Sequence, residues 1–174
     1  MDRADLVALL RGGVIAKGGR WVDLGAGEGA FTLALADLLG PAAHITAVDR
    51  DAGALRRLRS STDDIEILHS DFTRPLGLTD LDGVVMANSL HFVRNKAPVL
   101  AAVRDMLKPG GALIVVEYDT DRGNAWVPHP FSRRRWEQMA DEAGFERTRF
   151  LHSVPSRWLG SIYSAISFRP NRAD

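Results

Sequence analysis

The sequence predicts an α/β domain: a largely parallel sheet with helices on both faces, finished by a hairpin. Three observations predict it. Short apolar runs alternate with helical patterns from Arg20 to Tyr118, the signature of strand–helix–strand units. The run Ala112 to Tyr118 reads as apolar on both faces, as in a central strand of a covered sheet. After Gly144 the pattern changes to two extended stretches with no helix between them, which reads as a hairpin.

Each element follows from local chemistry. Asp5 to Arg11 carries Leu6, Leu9 and Leu10 on one side, and Gly12-Gly13 ends it, so a short amphipathic helix is expected. Arg20 to Leu24 is the first strand. The Ala- and Leu-rich Ala30 to Leu39 is a helix, stopped by Gly40-Pro41. His44 to Val48 is a second strand ending at Asp49, and a helix spans about Ala52 to Ser60. Ile65 to His69 is a third strand and Leu81 to Ala87 a fourth. Pro98 to Leu107 places Val99, Leu100, Val103 and Leu107 at helical spacing. Lys108-Pro109-Gly110-Gly111 reads as a sharp turn into the fifth strand, Ala112 to Tyr118. Asp119 to Pro130 is a loop, and Phe131 to Ala143 a helix ending at Gly144. Phe145 to Val154 and Trp158 to Phe168 are strands joined through Pro155-Ser156.

The 174 residues suit a single domain over 1–174, with a lead-in over 1–19, a core over 20–118, and a tail over 119–174. Lys+Arg and Asp+Glu both number 22. A grip on nucleic acid needs a cationic surplus, so nucleic acid is not expected as a partner; the run Arg133, Arg134, Arg135 is the one local exception. The absence of cysteine excludes disulfides, thiolate zinc and a cysteine nucleophile, and no metal is expected. It also fits a reducing cytosol. No secretory segment or membrane span is read, so a cytoplasmic protein is expected.

In open sheets of this kind, ligands sit beyond the carboxyl ends of the strands, where the winding reverses. Asp23 to Gly29, Asp49, Asp71, Asn88 and Asp119 all fall at those ends. Gly25, Gly27 and Gly29 join the first strand to its helix. Glycine permits a tight turn and close approach to a ligand, and a helix start offers unpaired N–H groups; the plainer reading is a strand–helix turn alone. The spacing is G-x-G-x-G rather than the G-x-G-x-x-G of dinucleotide sites. A negative Asp23 just before it would repel a pyrophosphate and attract an ammonium. This favours an amino-acid-bearing nucleoside over NAD.

Asp49 stands roughly 20 residues beyond the glycines, where an acid receives ribose hydroxyls; otherwise it is a turn acid or a cap. Asp71 is placed to accept from an adenine amino group with Phe72 packed on the ring; alternatively they are a loop acid and a core aromatic. Asn88-Ser89-Leu90-His91 follows the fourth strand, where a substrate would enter.

Taken in order, these stretches resemble the motifs of class I S-adenosylmethionine-dependent methyltransferases. Val22-Asp23-Leu24-Gly25-Ala26-Gly27-Glu28-Gly29 resembles the first motif, Ala47-Val48-Asp49-Arg50 the acidic motif, and His69-Ser70-Asp71-Phe72 the adenine-contacting one. Met106 to Leu113 is similar to the turn into the fifth strand. The resemblance spans about Trp21 to Tyr118. It implies a Rossmann-like, doubly wound, seven-stranded sheet whose last strand is antiparallel. It also implies roles: Asp23 and the backbone of Gly25, Ala26 and Gly27 at the methionine end, Asp49 and Arg50 at the ribose, Asp71 and Phe72 at the adenine, and Asn88 closing the methionine side. Ala87-Asn88-Ser89-Leu90 departs from the Asn/Asp-Pro-Pro-Tyr/Phe signature of amino-group methylases, and a small-molecule acceptor is the expectation.

Methyl transfer from a sulfonium is a direct displacement in which alignment supplies much of the acceleration. A base is needed only where the nucleophile carries a proton. His91 and His129 are the candidates; each is otherwise a surface or loop residue. Tyr118, Asp119 and Asp121 follow the fifth strand and are candidates to shape the acceptor pocket. Trp126 to Phe131 is either a wall of that pocket or a satellite core anchoring the tail helix, and the N-terminal helix is a second candidate cover. Two other functions stay open: an adenosyl-cofactor-binding protein without catalysis, and an NAD-dependent oxidoreductase.

Overall fold

The computed structural model describes residues 1–62 and 64–171. The first helix, α1 (Arg3–Arg11), starts at Asp2, whose carboxylate accepts from the Asp5 N–H at 2.9 Å. Strands and helices then alternate as β1 (Gly19–Leu24), α2 (Ala30–Leu39), β2 (Ala43–Asp49), α3 (Ala52–Ser61), β3 (Glu66–His69), β4 (Leu81–Ala87), α4 (Ala97–Met106) and β5 (Leu107–Tyr118). The chain closes with α5 (Arg133–Glu142), β6 (Glu146–Ser156) and β7 (Gly160–Phe168). Side-chain caps fix two further helix starts: Asp51 accepts from Gly53 and Ala54 N–H, and Ser132 accepts from Arg135 N–H.

One seven-stranded sheet results, in the order β3-β2-β1-β4-β5-β7-β6. Strands β1 to β5 are mutually parallel, and β7 runs antiparallel to both β5 and β6. The winding reverses between β1 and β4. Alternation along the strands divides the core in two. Trp21, Ile45, Ile114 and Val116 face one side with Leu9, Leu10 and Leu35 of α1 and α2. Val22, Leu24, Leu113 and Val115 face the other, with Leu100 and Val103 of α4 and Trp136 of α5. The expected doubly wound sheet with helices on both faces is what forms.

Three local expectations are corrected. Lys108 to Gly111 is not a turn before the fifth strand but its beginning: Leu107 already pairs with Leu81, and the intervening residues bulge before Ala112 meets Gly83. Gly110 takes the left-handed conformation the bulge needs (φ 75°) and donates to the Arg169 carbonyl at 3.0 Å. The hairpin turn lies at residues 157–159, because Pro155 and Ser156 still pair with Ser161 and Gly160. The tail helix begins at Arg133, since Phe131 is drawn into the core and Ser132 becomes the cap. In addition, α1 packs in the core on α2 and β6, and none of its residues lines either cavity described below; it is no cover for the site.

Candidate functional site

Asp49 ends β2 at the reversal of the sheet and organises the glycine loop. Its Oδ2 accepts from the Gly27 N–H at 2.7 Å and its Oδ1 from the Asp51 N–H at 2.8 Å. The Gly25 and Ala26 N–H groups donate to the Val48 carbonyl at 2.8 and 3.0 Å. The loop is therefore fastened to the end of β2 through three consecutive amides. Those three amides are engaged within the protein.

Gly25 shows why the loop needs glycine. Its φ is 84°, and a Cβ there would run into the Cβ of Ser89, whose hydroxyl donates to the Leu24 carbonyl at 2.7 Å. Gly27 has φ 55° and open space where its Cβ would be.

A cleft beside this loop is walled by Gly25, Asp49, Arg50, Asp71, Phe72 and Asn88, joined by Ser89 and Phe92. Six of the nine proposed cofactor positions thus meet on one surface. Asp71 is held by its own turn: its Oδ1 accepts from the Thr73 N–H at 2.9 Å and the Thr73 hydroxyl at 2.7 Å, and these bonds keep its pKa below the ordinary carboxylate value. Asn88 has a left-handed backbone (φ 51°), a conformation asparagine enters more readily than most residues. Its N–H donates to the Val116 carbonyl at 2.8 Å.

The other three positions, Asp23, Ala26 and Gly27, do not line the cleft. Asp23 is 1% exposed and lies on the α2 side of the sheet, where its Oδ2 accepts from the Thr32 hydroxyl at 2.7 Å. A direct grip by Asp23 on a ligand ammonium is therefore corrected: the alternation of β1 turns its carboxylate beneath the glycine loop. Burial raises its pKa to about 7, opposed by the Thr32 bond and reinforced by the nearby Asp49 charge.

Beyond Asn88 and Phe92 a second cavity opens, of about 430 Å³, sharing those two residues with the cleft. His91, Tyr118, Val127 and Trp126 are among its walls. His91 is buried (2% exposed), and its Nδ1 lies 2.8 Å from Oε2 of Glu117, which is fully buried. Oε1 of the same carboxylate accepts from the His91 N–H at 3.1 Å. Glu117 thus fixes both the ring and the backbone of His91, and His91 is neither a surface nor a loose loop residue.

Glu117 was not among the residues singled out from the sequence. The signal was present: a lone carboxylate inside a strand apolar on both faces must be paired when buried.

The remaining expectations divide. The His129 ring lines neither cavity; instead its N–H donates to the His91 carbonyl at 3.0 Å and its carbonyl accepts from the Lys96 ammonium at 2.9 Å. His129 is corrected from candidate base to a backbone tether. Asp119 and Asp121 hold the start of α5 rather than the pocket: Asp119 pairs with Arg133 at 2.9 Å, and Asp121 accepts from the Ser132 N–H at 2.9 Å and its hydroxyl at 3.0 Å. The Trp126 to Phe131 cluster serves both readings, with Trp126 on the cavity wall and Phe131 buried against Trp136, ring centres 5.8 Å apart.

The residues fit an adenosyl-type cofactor by one independent observation. Three buried side-chain atoms among the described residues lack a hydrogen-bond partner, and two of them, Asp23 Oδ1 and Asn88 Oδ1, are acceptors at this sheet edge. Unmet buried acceptors are costly, and Asn88 Oδ1, on the cleft wall, would be relieved by a donor-rich, cationic ligand.

Comparison with known proteins agrees with this fold. A family model described as a methyltransferase domain matches residues 22–115. An uncharacterized methyltransferase of Mycobacterium tuberculosis is 32% identical over 142 residues, covering 79% of this chain and 68% of the relative. A ubiquinone/menaquinone biosynthesis C-methyltransferase of Pseudomonas savastanoi is 29% identical over 111 residues, covering 60% of this chain and 43% of its own length. A solved SAM-dependent methyltransferase from Thermotoga maritima shares the fold with a TM-score of 0.73 at 19% identity, covering 97% of this chain and 89% of that one.

Proposed function

Because the chain belongs to the class I S-adenosylmethionine-dependent methyltransferases, we propose that it methylates a small molecule held in the cavity of His91, against a cofactor held in the cleft of Asp49. The observation that carries this reading is the shared wall: Asn88 and Phe92 border both cavities, so a donor in one and an acceptor in the other meet across two side chains. Bound S-adenosylmethionine supplies an electrophilic methyl on a positively charged sulfur that leaves as a neutral thioether.

The chain's own residues do the rest. Asp49, with a free lone pair left on each oxygen, accepts from the ribose hydroxyls, and Arg50 stands beside it on the cleft wall. Asp71 accepts from the adenine amino group, and Phe72 packs on the ring. Gly25 lets the loop approach closely, and Asn88 Oδ1 accepts at the methionine end. Asp23 acts from beneath the loop as a buried carboxyl group held by Thr32, with Ala26 and Gly27 supplying backbone. On the acceptor side, Glu117 accepts from His91 Nδ1–H, which leaves Nε2 to take the proton from the acceptor. The imidazolium so formed is stabilised by the carboxylate behind it. Phe92 and Trp126 border the acceptor cavity.

As part of the same proposal the chain works as one domain in the cytoplasm; no helix among the described residues is long and apolar enough to cross a membrane. Calorimetry with S-adenosylmethionine and NAD tests the cofactor, and a metabolite screen with methyl-labelled cofactor tests transfer. Micromolar to submillimolar binding of the first, none of the second, and label in at least one product are expected. Absence of binding at millimolar cofactor overturns the proposal. Binding with no transfer across the screen favours a binding protein without catalysis.

A further inference from the structure

The walls of the acceptor cavity say more than that it holds a small molecule. Phe92, Tyr118, Trp126 and Trp158 supply four aromatic faces, with Val127 beneath them. Trp126 and Trp158 are 79% and 75% exposed, a large apolar area to leave in water when a tryptophan normally buries most of its ring. They come from separate parts of the chain, the loop after β5 and the turn between β6 and β7, yet border the same space. None of the eight wall residues is Lys, Arg, Asp or Glu. The carboxylate nearest the cavity, Glu117, is fully buried behind His91 and occupied by it. The volume, about 430 Å³, lies in the range of sites for small organic ligands. The His91 ring itself lies 4.3 Å from Phe92, tilted by 46°, and edge-on at 5.9 Å from Tyr118, so it sits within an aromatic surround.

A phosphate or carboxylate would enter such a cavity without a counter-charge, at a desolvation cost nothing there offsets. A saturated chain would fill it but forgo the face and edge contacts that conjugated rings make with aromatic walls. On this basis, and resting on the methyltransferase reading above, we infer that the acceptor is a neutral, planar aromatic compound bearing an acidic hydroxyl, gripped between Trp126 and Trp158 with its hydroxyl toward His91. The O–H proton passes to His91 Nε2, the bonding pair stays on the acceptor oxygen, and the imidazolium is balanced by Glu117.

The test uses the full chain saturated with S-adenosylhomocysteine and three probes: 1-naphthol, its anionic derivative 1-naphthyl phosphate, and the saturated analogue decahydro-1-naphthol. Calorimetry is expected to show 1-naphthol binding about ten-fold or more tightly than either of the others. The variants Trp126→Ala and Trp158→Ala, both on exposed side chains and so benign to folding, are each expected to weaken 1-naphthol about three- to ten-fold while the S-adenosylhomocysteine affinity is unchanged. Equal or tighter binding of the phosphate overturns the neutrality claim. Equal binding of the saturated analogue, or tryptophan variants that leave 1-naphthol unaffected, overturns the aromatic grip. Loss of S-adenosylhomocysteine binding by the unaltered protein is a different failure, that of the methyltransferase reading itself, and is seen before any probe is added.

Discussion

The cofactor cleft and the acceptor cavity are separated by two side chains, yet they are built by opposite means. The cleft is made of strand ends. Asp49 ends β2, Gly25 and Asn88 directly follow β1 and β4, and backbone hydrogen bonds from Gly25, Ala26 and Asn88 fasten this edge to Val48 and Val116. The cavity is made of side chains from distant segments, His91 with Glu117, Trp126 and Trp158, held by a few long-range contacts. A site assembled from backbone at a sheet edge is fixed by the fold itself. A site assembled from loops can change its occupant while the fold stays the same.

The largest expected effect lies on the cavity side. His91→Ala removes the proton acceptor and is expected to lower kcat by about 10²- to 10⁴-fold for the acceptor that the labelled screen returns, with cofactor affinity unchanged by calorimetry. Glu117→Gln keeps the shape but removes the charge behind the ring. It is expected to lower kcat, since a carboxylate stabilises the imidazolium formed during transfer and an amide does not. Loss of cofactor binding in either variant would break the separation of the two halves.

The next effect belongs to the cleft side and is read in stability. Asp23 carries a carboxyl raised to about 7 from an ordinary 3.8. The folded chain therefore holds a proton there that the unfolded chain has released, in the window from about 4 to 7. Stability falls as pH rises through that window and levels above it. The full displacement corresponds to roughly 4 kcal/mol at 1.36 kcal/mol per pH unit. Urea unfolding at pH 5 and pH 8 is expected to show the part of this loss that falls between them, about 2.7 kcal/mol, and Asp23→Asn, which still accepts from Thr32, to flatten it. An equal pH dependence in both proteins would show that Asp23 is not the group responsible.

Asp49→Ala comes third. It removes the ribose acceptor and the bond to Gly27, and is expected to weaken S-adenosylmethionine about ten-fold or more while leaving kcat at saturating cofactor close to that of the parent. Unchanged affinity in calorimetry would remove the ribose role.

The same contrast decides what the sequence revealed. The strand and helix pattern was legible because apolar alternation and Gly/Pro punctuation are local. Asp49, Asp71 and Asn88 were legible as neighbours at one sheet edge because a parallel strand delivers whatever follows it there. Asp23 was placed on the right strand but on the wrong side, since the direction of its side chain depends on which face of β1 packs against α2. Glu117 was passed over because one acid in an apolar strand has meaning only once His91, 26 positions earlier, is seen beside it. Trp158 gave no signal at all: nothing local to the turn at 157–159 indicates that it reaches the cavity edge.

The smallest expected effect probes how the loop-built side is held together. The Lys96 ammonium donates to the carbonyls of Val93 at 2.8 Å and His129 at 2.9 Å and lies 5.2 Å from the centre of the Phe131 ring. It therefore joins the turn carrying His91 and Phe92 to the segment carrying Trp126 and Val127. Half-burial lowers its pKa, partly offset by the Glu117 charge, and three acceptors surround it, the two carbonyls and the ring face. Lys96→Met preserves the stem and deletes the charge. Two carbonyls lose a charge-assisted donor, a cost of about 1–3 kcal/mol, most of which water can return because the site is only half-buried. The expected result is a melting temperature lower by a few degrees, a KM for the acceptor raised a few-fold, and a cofactor Kd that does not move. A rise in cofactor Kd of the same size would mean that the loop holding Trp126 also supports the cleft, and the two regions would have to be treated as one.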